Sequence, residues 1–251
     1  MSNFKNKVVV VTGGNSGIGY ATAAAFVAAG AKVVITGRNK QAVEKAASEI
    51  NAEGLVSDQR DLKAIDKLVA EVGARYGKVD TLFINAGIAA FAPIEAVTEE
   101  QFDSIHGINF KGAYFTLQKF LPLLKEGSSV TLLSSVNATA AMPNSSVYGT
   151  SKAALNSLAK IAAYELAPRK IRVNSVSPGP ISTPIFGKVG MSKEVADEFG
   201  AAITQRLPLK RLGASEEVAK LVTFLSSDDA AFITGVDYVI DGGIIMNPIL
   251  G

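Results

Sequence analysis

The chain of 251 residues contains no cysteine. Disulfides and thiolate metal sites are excluded with it, and so is any argument from redox compartment. A single histidine, His106, leaves no cluster for zinc, so no metal site is expected. Like charges form no block: 25 Lys+Arg against 23 Asp+Glu give a formal net charge of +2. Nothing in that balance would track a nucleic-acid backbone or an anionic membrane, so neither is an expected partner. Long apolar runs are missing as well. The opening MSNFKNKVVVVTGG has one short run, which enters a glycine turn. Neither a signal peptide nor a membrane span is expected, and the cytoplasm is the expected location.

What is present is an ordinary globular composition. With 48% hydrophobic and 19% charged residues the chain can bury a large core in one domain, residues 1–251. Short apolar runs alternate with helical patterns. The runs are KVVVVTG (7–13), AKVVITG (31–37), VDTLFINAG (79–87), SSVTLLSS (128–135), IRVNSVSPG (171–179) and DYVIDGG (237–243). Between them, YATAAAFVAAG and KAIDKLVAEVGARYG carry apolar residues at helical spacing and end on glycine. Continuous rather than alternating apolar strands imply burial on both faces, hence a parallel sheet covered by helices. The expected fold is a single-domain, doubly wound α/β sheet of Rossmann type. Residues 180–212 are the least regular part, with prolines and glycines after a strand end. A lid over the site is expected there.

The first strand runs into TGGNSGIG, residues 12–19, and then a helix. Glycines allow a tight turn and let the backbone approach a pyrophosphate, whose charge faces the free N–H groups of the helix start. Gly13, Asn15, Ser16, Gly17, Ile18 and Gly19 are therefore candidate dinucleotide contacts. The second strand ends on Gly37 and Arg38, where an acid would suit the ribose hydroxyl of NAD. A guanidinium suits a 2′-phosphate and a carboxylate repels one, so NADP is expected, with NAD as the alternative.

VYGTSKAAL, residues 147–155, sets Tyr148 four positions ahead of Lys152 at the head of a helical stretch. The i, i+4 spacing stacks both side chains on one face. An ammonium beside a phenol favours the phenolate and is expected to lower the phenol pKa.

Together, TGGNSGIG, NAG (85–87), Asn109 in INFKG, the double serine of LLSS, YGTSK, SPG (177–179) and DGG (241–243) resemble the short-chain dehydrogenase/reductase family over nearly the whole chain. The resemblance implies hydride transfer between a nicotinamide cofactor and a carbonyl or alcohol. Its catalytic serine lies thirteen residues before the tyrosine, which selects Ser135 over Ser134. By the same resemblance Tyr148 exchanges the proton and Lys152 favours the phenolate and holds the nicotinamide ribose. Ser135 fixes the substrate oxygen, and Asn109 holds a water that links the lysine to solvent. Asp61 and Leu62 match the pair that contacts the adenine, while Asn85, Ala86 and Gly87 form the turn beside its ribose. Pro178, Gly179, Ile181 and Thr183 match the segment against the nicotinamide and its phosphate. Asp61 as a helix cap and 85–87 as an ordinary turn are the plainer readings.

Substrate contacts expected from family position are Ser135, Asn137, Met142, Tyr148, Pro180 and Phe186, in largely apolar surroundings that also include residues 89–92. Such a pocket suits a neutral ketone or keto ester. Reduction of a 3-oxoacyl carrier thioester is the alternative, with Lys188, Lys193, Arg206, Lys210 and Arg211 near the mouth in sequence. A dinucleotide sensor without catalysis is the alternative of another class. His106, where the family pattern also departs at Gly107, is expected at a helix or subunit contact. The apolar tail GGIIMNPILG is expected at a subunit contact as well, in a homotetramer.

Overall fold

The computed structural model describes residues 3–183 and 193–246. Seven parallel strands form one sheet: β1 (Val8–Thr12), β2 (Lys32–Gly37), β3 (Glu53–Val56), β4 (Val79–Ile84), β5 (Leu124–Leu133), β6 (Arg172–Pro178) and β9 (Asp237–Ile240). Their order is β3-β2-β1-β4-β5-β6-β9. The two remaining strands, β7 (Ile181–Ser182) and β8 (Gly213–Ala214), pair with each other in parallel, Ile181 opposite Gly213 and Ser182 opposite Ala214. Among the described residues the helices are α1 (Gly17–Ala28), α2 (Lys40–Ile50), α3 (Leu62–Tyr76), α4 (Glu99–His106), α5 (Ala113–Phe120), α6 (Ser146–Leu166), α7 (Lys193–Arg206) and α8 (Ser215–Ser226).

The unbroken valines of β1 have a direct reading in the packing. Val8 and Val10 point into one core, with Leu68 and Val72 of α3, Leu117 of α5 and Leu155 of α6. Val9 and Val11 point into the other, with Phe26 of α1, Val43 of α2 and Val222 of α8. Successive side chains alternate faces, so a strand covered on both sides must be apolar throughout. Each of the six strands expected from the sequence is present. The seventh, β3, was not anticipated: it is four residues long, lies at the sheet edge, and begins with a glutamate and a glycine.

The sheet order reverses between β1 and β4, whose C-terminal ends open the crevice where ligands of such sheets bind. The turns leaving these two strands are tied together. The Thr12 hydroxyl accepts from the backbone N–H groups of Asn85 (3.0 Å) and Ala86 (3.1 Å). The Asn85 amide donates back to the carbonyls of Thr12 (2.9 Å) and Gly13 (3.0 Å).

Candidate active site

Four residues singled out in the sequence meet beyond the C-terminal ends of β4 and β5. Tyr148 is the third residue of α6, and Lys152 lies one turn on. The Lys152 Nζ stands 5.7 Å from the Tyr148 ring centroid and donates to the Leu133 carbonyl at 2.8 Å. Ser135 follows the end of β5, and a hydrogen bond joins its hydroxyl to the phenol. Its neighbour Ser134 turns the other way and donates to the backbone carbonyl of Lys152 at 3.0 Å. The two serines thus divide the work: Ser134 holds α6 against β5, and Ser135 faces the phenol.

Asn109 sits in a π-helical turn, Gly107–Gly112, between α4 and α5. It is fully buried, and its side chain clamps the chain leaving β4: Oδ1 accepts from Ile88 N–H at 2.9 Å, and Nδ2 donates to Ile88 O at 3.0 Å. Nδ2 also donates to Ser151 Oγ at 3.1 Å, and that hydroxyl donates to the Tyr148 carbonyl at 2.7 Å. A widened helical turn of this kind recurs at functional sites. Asn109 Oδ1 and Lys152 Nζ flank the place where a Cβ on Gly87 would stand, at 3.2 and 3.4 Å.

Burial governs the protons here. It pushes the Tyr148 phenol up, and the bond to Ser135 offsets this in part. It pushes Lys152 down from 10.5 to about 8. The expected lowering of the phenol by the lysine is therefore corrected. Withdrawal from water disfavours both charged forms, and it outweighs an ammonium whose own proton is weakly held and which donates to a carbonyl.

At the crevice, Gly13 and Gly17 both have positive φ, +65° and +56°, which glycine adopts without strain. A Cβ on Gly19 would lie 2.3 Å from the Gly13 carbonyl oxygen, so only glycine lets α1 start this close to the turn. The α1 N-terminus, with Ser16 as its N-cap, then points its free N–H groups outward beside Asn15 and Ile18. A glycine turn and helix start of this shape fit a pyrophosphate.

A family described as enoyl-(acyl carrier protein) reductase matches residues 13–245. The chain is 38% identical to the oxidoreductase asL5 of Sarocladium schorii over 243 residues, 95% of each protein. It is 35% identical to the 3-oxoacyl-[acyl-carrier-protein] reductase FabG of Thermotoga maritima, covering 96% of this chain and 99% of that one. A solved short-chain dehydrogenase/reductase described as glucose/ribitol dehydrogenase, from Brucella melitensis, superposes with a TM-score of 0.92 at 33% identity, over 98% of this chain and 99% of that one.

The chain is a short-chain dehydrogenase/reductase.

As a short-chain dehydrogenase/reductase it is an oxidoreductase, and the fold implies a nicotinamide dinucleotide cofactor. Gly37 ends β2, and Arg38 is exposed just beyond it. Asp61 is the N-cap of α3, its carboxylate accepting from Lys63 N–H at 2.8 Å, and Leu62 is the first residue of that helix. The plainer reading of Asp61 thus accounts for its side chain. Asp58, which the sequence reading passed over, lies two residues past the end of β3 and within electrostatic reach of Arg38. Burial raises its pKa, but the backbone N–H and guanidinium of Arg60 together with Arg38 hold it below the usual value. The signal for it was position, two residues past a strand that the sequence reading did not see.

Pro178 closes β6, Gly179 and Pro180 follow, and Ile181 lies in β7 with Thr183 just after it. Asn137 and Met142 lie in the loop between β5 and α6, with the Asn137 amide 3.8 Å from the Met142 sulfur. Phe186, with residues 184–192 of the expected lid, falls outside the described residues, and the rest of that stretch includes β7 and α7. His106 stacks on Phe102, ring centroids 4.4 Å apart, and its Nε2 is 3.3 Å from the Thr150 hydroxyl, away from the phenol. Among the described residues no cluster of metal-ligating side chains occurs, and no helix is long and apolar enough to cross a membrane. Thr12, Ser134 and Ser151 were not read as site residues from the sequence. Their common signal is a small hydroxyl in an otherwise apolar or helical stretch.

Proposed function

We propose that the chain reduces the carbonyl of a neutral ketone or keto ester to a secondary alcohol with NADPH, and that Asn109, Ser135, Tyr148 and Lys152 carry the chemistry. The observation that carries this reading is the phenol: half-buried, bonded to Ser135, with a lysine one helical turn behind it. A phenol pushed above its ordinary value is fully protonated at neutral pH, so the proton to be given is in place. Bound NADPH supplies the hydride that reaches the carbonyl carbon. Ser135 donates to the carbonyl oxygen and fixes it beside the phenol. Tyr148 gives its proton to that oxygen as negative charge builds there, and the phenolate left behind is favoured by the Lys152 ammonium. Asn109 Oδ1 and Lys152 Nζ both face Gly87, and we place the water that returns the proton from solvent beside them.

The NADP preference rests on the end of β2. A Cβ at position 37 would stand 2.6 Å from Asn15 Oδ1 and 2.9 Å from Val43 Cγ2, so the place where an NAD-type acid would sit is filled by neighbours. Arg38 beside it offers paired donors to a 2′-phosphate. We place Asn15, Ser16, Gly17, Ile18 and Asn85 to Gly87 along the dinucleotide, and Pro178, Gly179, Ile181 and Thr183 at its nicotinamide end. Asp58, rather than Asp61 with Leu62, is placed at the adenine. The working unit is a homotetramer in the cytoplasm.

The 3-oxoacyl carrier thioester remains a second reading because the Thermotoga relative is named for that reaction. Two of the cations expected to steer an acidic carrier are already engaged. Arg211 forks onto Glu217 with both contacts at 2.7 Å, and the Lys210 ammonium donates to Gln205 O at 2.7 Å.

The test is NADPH and NADH consumption with β-keto esters and a 3-oxoacyl thioester, using the parent, Tyr148→Phe and Arg38→Ala. Tyr148→Phe is expected to lose turnover, at least a hundredfold, while NADPH still binds. Arg38→Ala is expected to raise KM for NADPH at least tenfold and leave KM for NADH nearly unchanged. Undiminished turnover in Tyr148→Phe removes the proton-donor assignment, and equal effects on both cofactors remove the phosphate assignment.

A further inference from the structure

We infer that Phe91 is a specificity-determining residue that selects carbonyl substrates carrying an aryl or similarly flat apolar group beside the reacting carbon; this rests on the reading of Tyr148 as proton donor. Phe91 meets the Tyr148 ring edge-on, with centroids 5.9 Å apart and planes at 67°. It is 37% exposed and belongs to neither core cluster, so it is not there to fill the interior.

Its loop is fixed on both sides. Three residues before it, Ile88 is gripped by Asn109 through both backbone N–H and carbonyl. One residue after it, Ala92 N–H donates to the Asn144 carbonyl at 2.9 Å. That second bond stitches the Phe91 loop to the loop carrying Met142, which is 36% exposed. Phe91 thus stands against the phenol ring on a loop bonded to the one that carries the exposed Met142 thioether.

Apart from the Lys152 ammonium, which donates to the Leu133 carbonyl, the two segments around Phe91 and Met142 carry no charge. Neither residues 85–94 nor residues 128–151 contain Asp, Glu, Lys, Arg or His. A carboxylate or phosphate next to the carbonyl would lose water there and gain no partner from these segments. An aryl group would gain edge-to-face contact with Phe91 and sulfur contact with Met142 beyond the area that it buries. A short alkyl group gains area alone.

The experiment compares kcat/KM with NADPH for ethyl benzoylacetate and ethyl acetoacetate in the parent, Phe91→Leu and Phe91→Ala. The parent is expected to favour the benzoyl substrate. Phe91→Ala is expected to reduce the aryl-to-alkyl ratio by about three- to tenfold, with Phe91→Leu between the two. The ratio is the deciding quantity because a change in Tyr148 acidity acts on both substrates alike and cancels. An unchanged ratio in two active variants, or a parent that prefers the alkyl substrate, overturns the assignment to Phe91 and leaves the reductase reading intact. A parent that turns over neither ester while binding NADPH removes both.

Discussion

Lys152 is buried, donates to the Leu133 carbonyl, and has its pKa lowered from 10.5 to about 8 by burial. The unfolded chain keeps that proton up to its ordinary value, so between pH 8 and 10.5 the unfolded state binds more protons than the folded one. The contribution to stability therefore rises with pH across that window, and at pH 7 the buried ammonium is a cost. Lys152→Met is expected to raise the melting temperature of the chain at pH 7 by roughly 3–6 °C, for a gain of about 1–2 kcal/mol, while abolishing turnover. The gap between variant and parent is expected to close toward pH 10, as thermal melts across that range will report. A variant that melts lower than the parent at pH 7 would mean that the bond to Leu133 outweighs the desolvation of the charge. The same group bears on rate. Reduction is expected to fall as pH rises through about 8, where the ammonium that supports the Tyr148 phenolate is lost.

Among the elements, the crossing of the β1 and β4 turns is the structural precondition of the site. Thr12 is fully buried, and its one hydroxyl accepts two backbone N–H groups of the β4 turn. Thr12→Val keeps the shape and removes the acceptor. It is expected to cost about 1–3 kcal/mol in urea unfolding and to raise KM for the dinucleotide, whereas Thr12→Ser stays near the parent. Equal urea midpoints for Val and Ser would show that solvent satisfies those N–H groups. The strands around this crossing were legible in the sequence because burial on both faces forces unbroken apolar runs such as VVVV and VDTLFI. The edge strand β3 was not, because half-covered Glu53 and Gly54 carry no such signal. Tyr148 and Lys152 were legible as a pair because helical periodicity alone stacks them. The roles of Ser134 and Ser151 were not, because a serine one position away from a partner looks the same whichever way its helix or strand turns it. Asp58 drew no attention because it stands two residues past the end of that unseen strand.

Among the described residues, exposed large apolar side chains occur on two groups of elements that suit self-association. One lies on the helices of the active-site side, where Ile161 and Tyr164 of α6 are 54% and 85% exposed, with Phe102 of α4 and Tyr114 of α5 also exposed. The other lies along α8 and the β9 edge, with Phe224, Phe232, Val236 and Val239. A tetramer with three twofold axes uses different self-complementary patches, and two such patches suffice to build it. Light scattering on the parent is expected to give four chains, and Tyr164→Glu is expected to give two. A monomeric parent at micromolar concentration would exclude the assembly. At this same scale the short β7–β8 ladder does something that the large sheet does not. It pins Ser182 opposite Ala214, so two points far apart in the chain keep one fixed separation. The returning chain is anchored again just before the ladder, where Leu207 is buried and the Leu209 N–H donates to the Gly242 carbonyl at 3.3 Å. A change of length between Ser182 and α7 leaves both anchors in place, at a closure cost that grows only with the logarithm of length, so the strands that carry the chemistry keep their register.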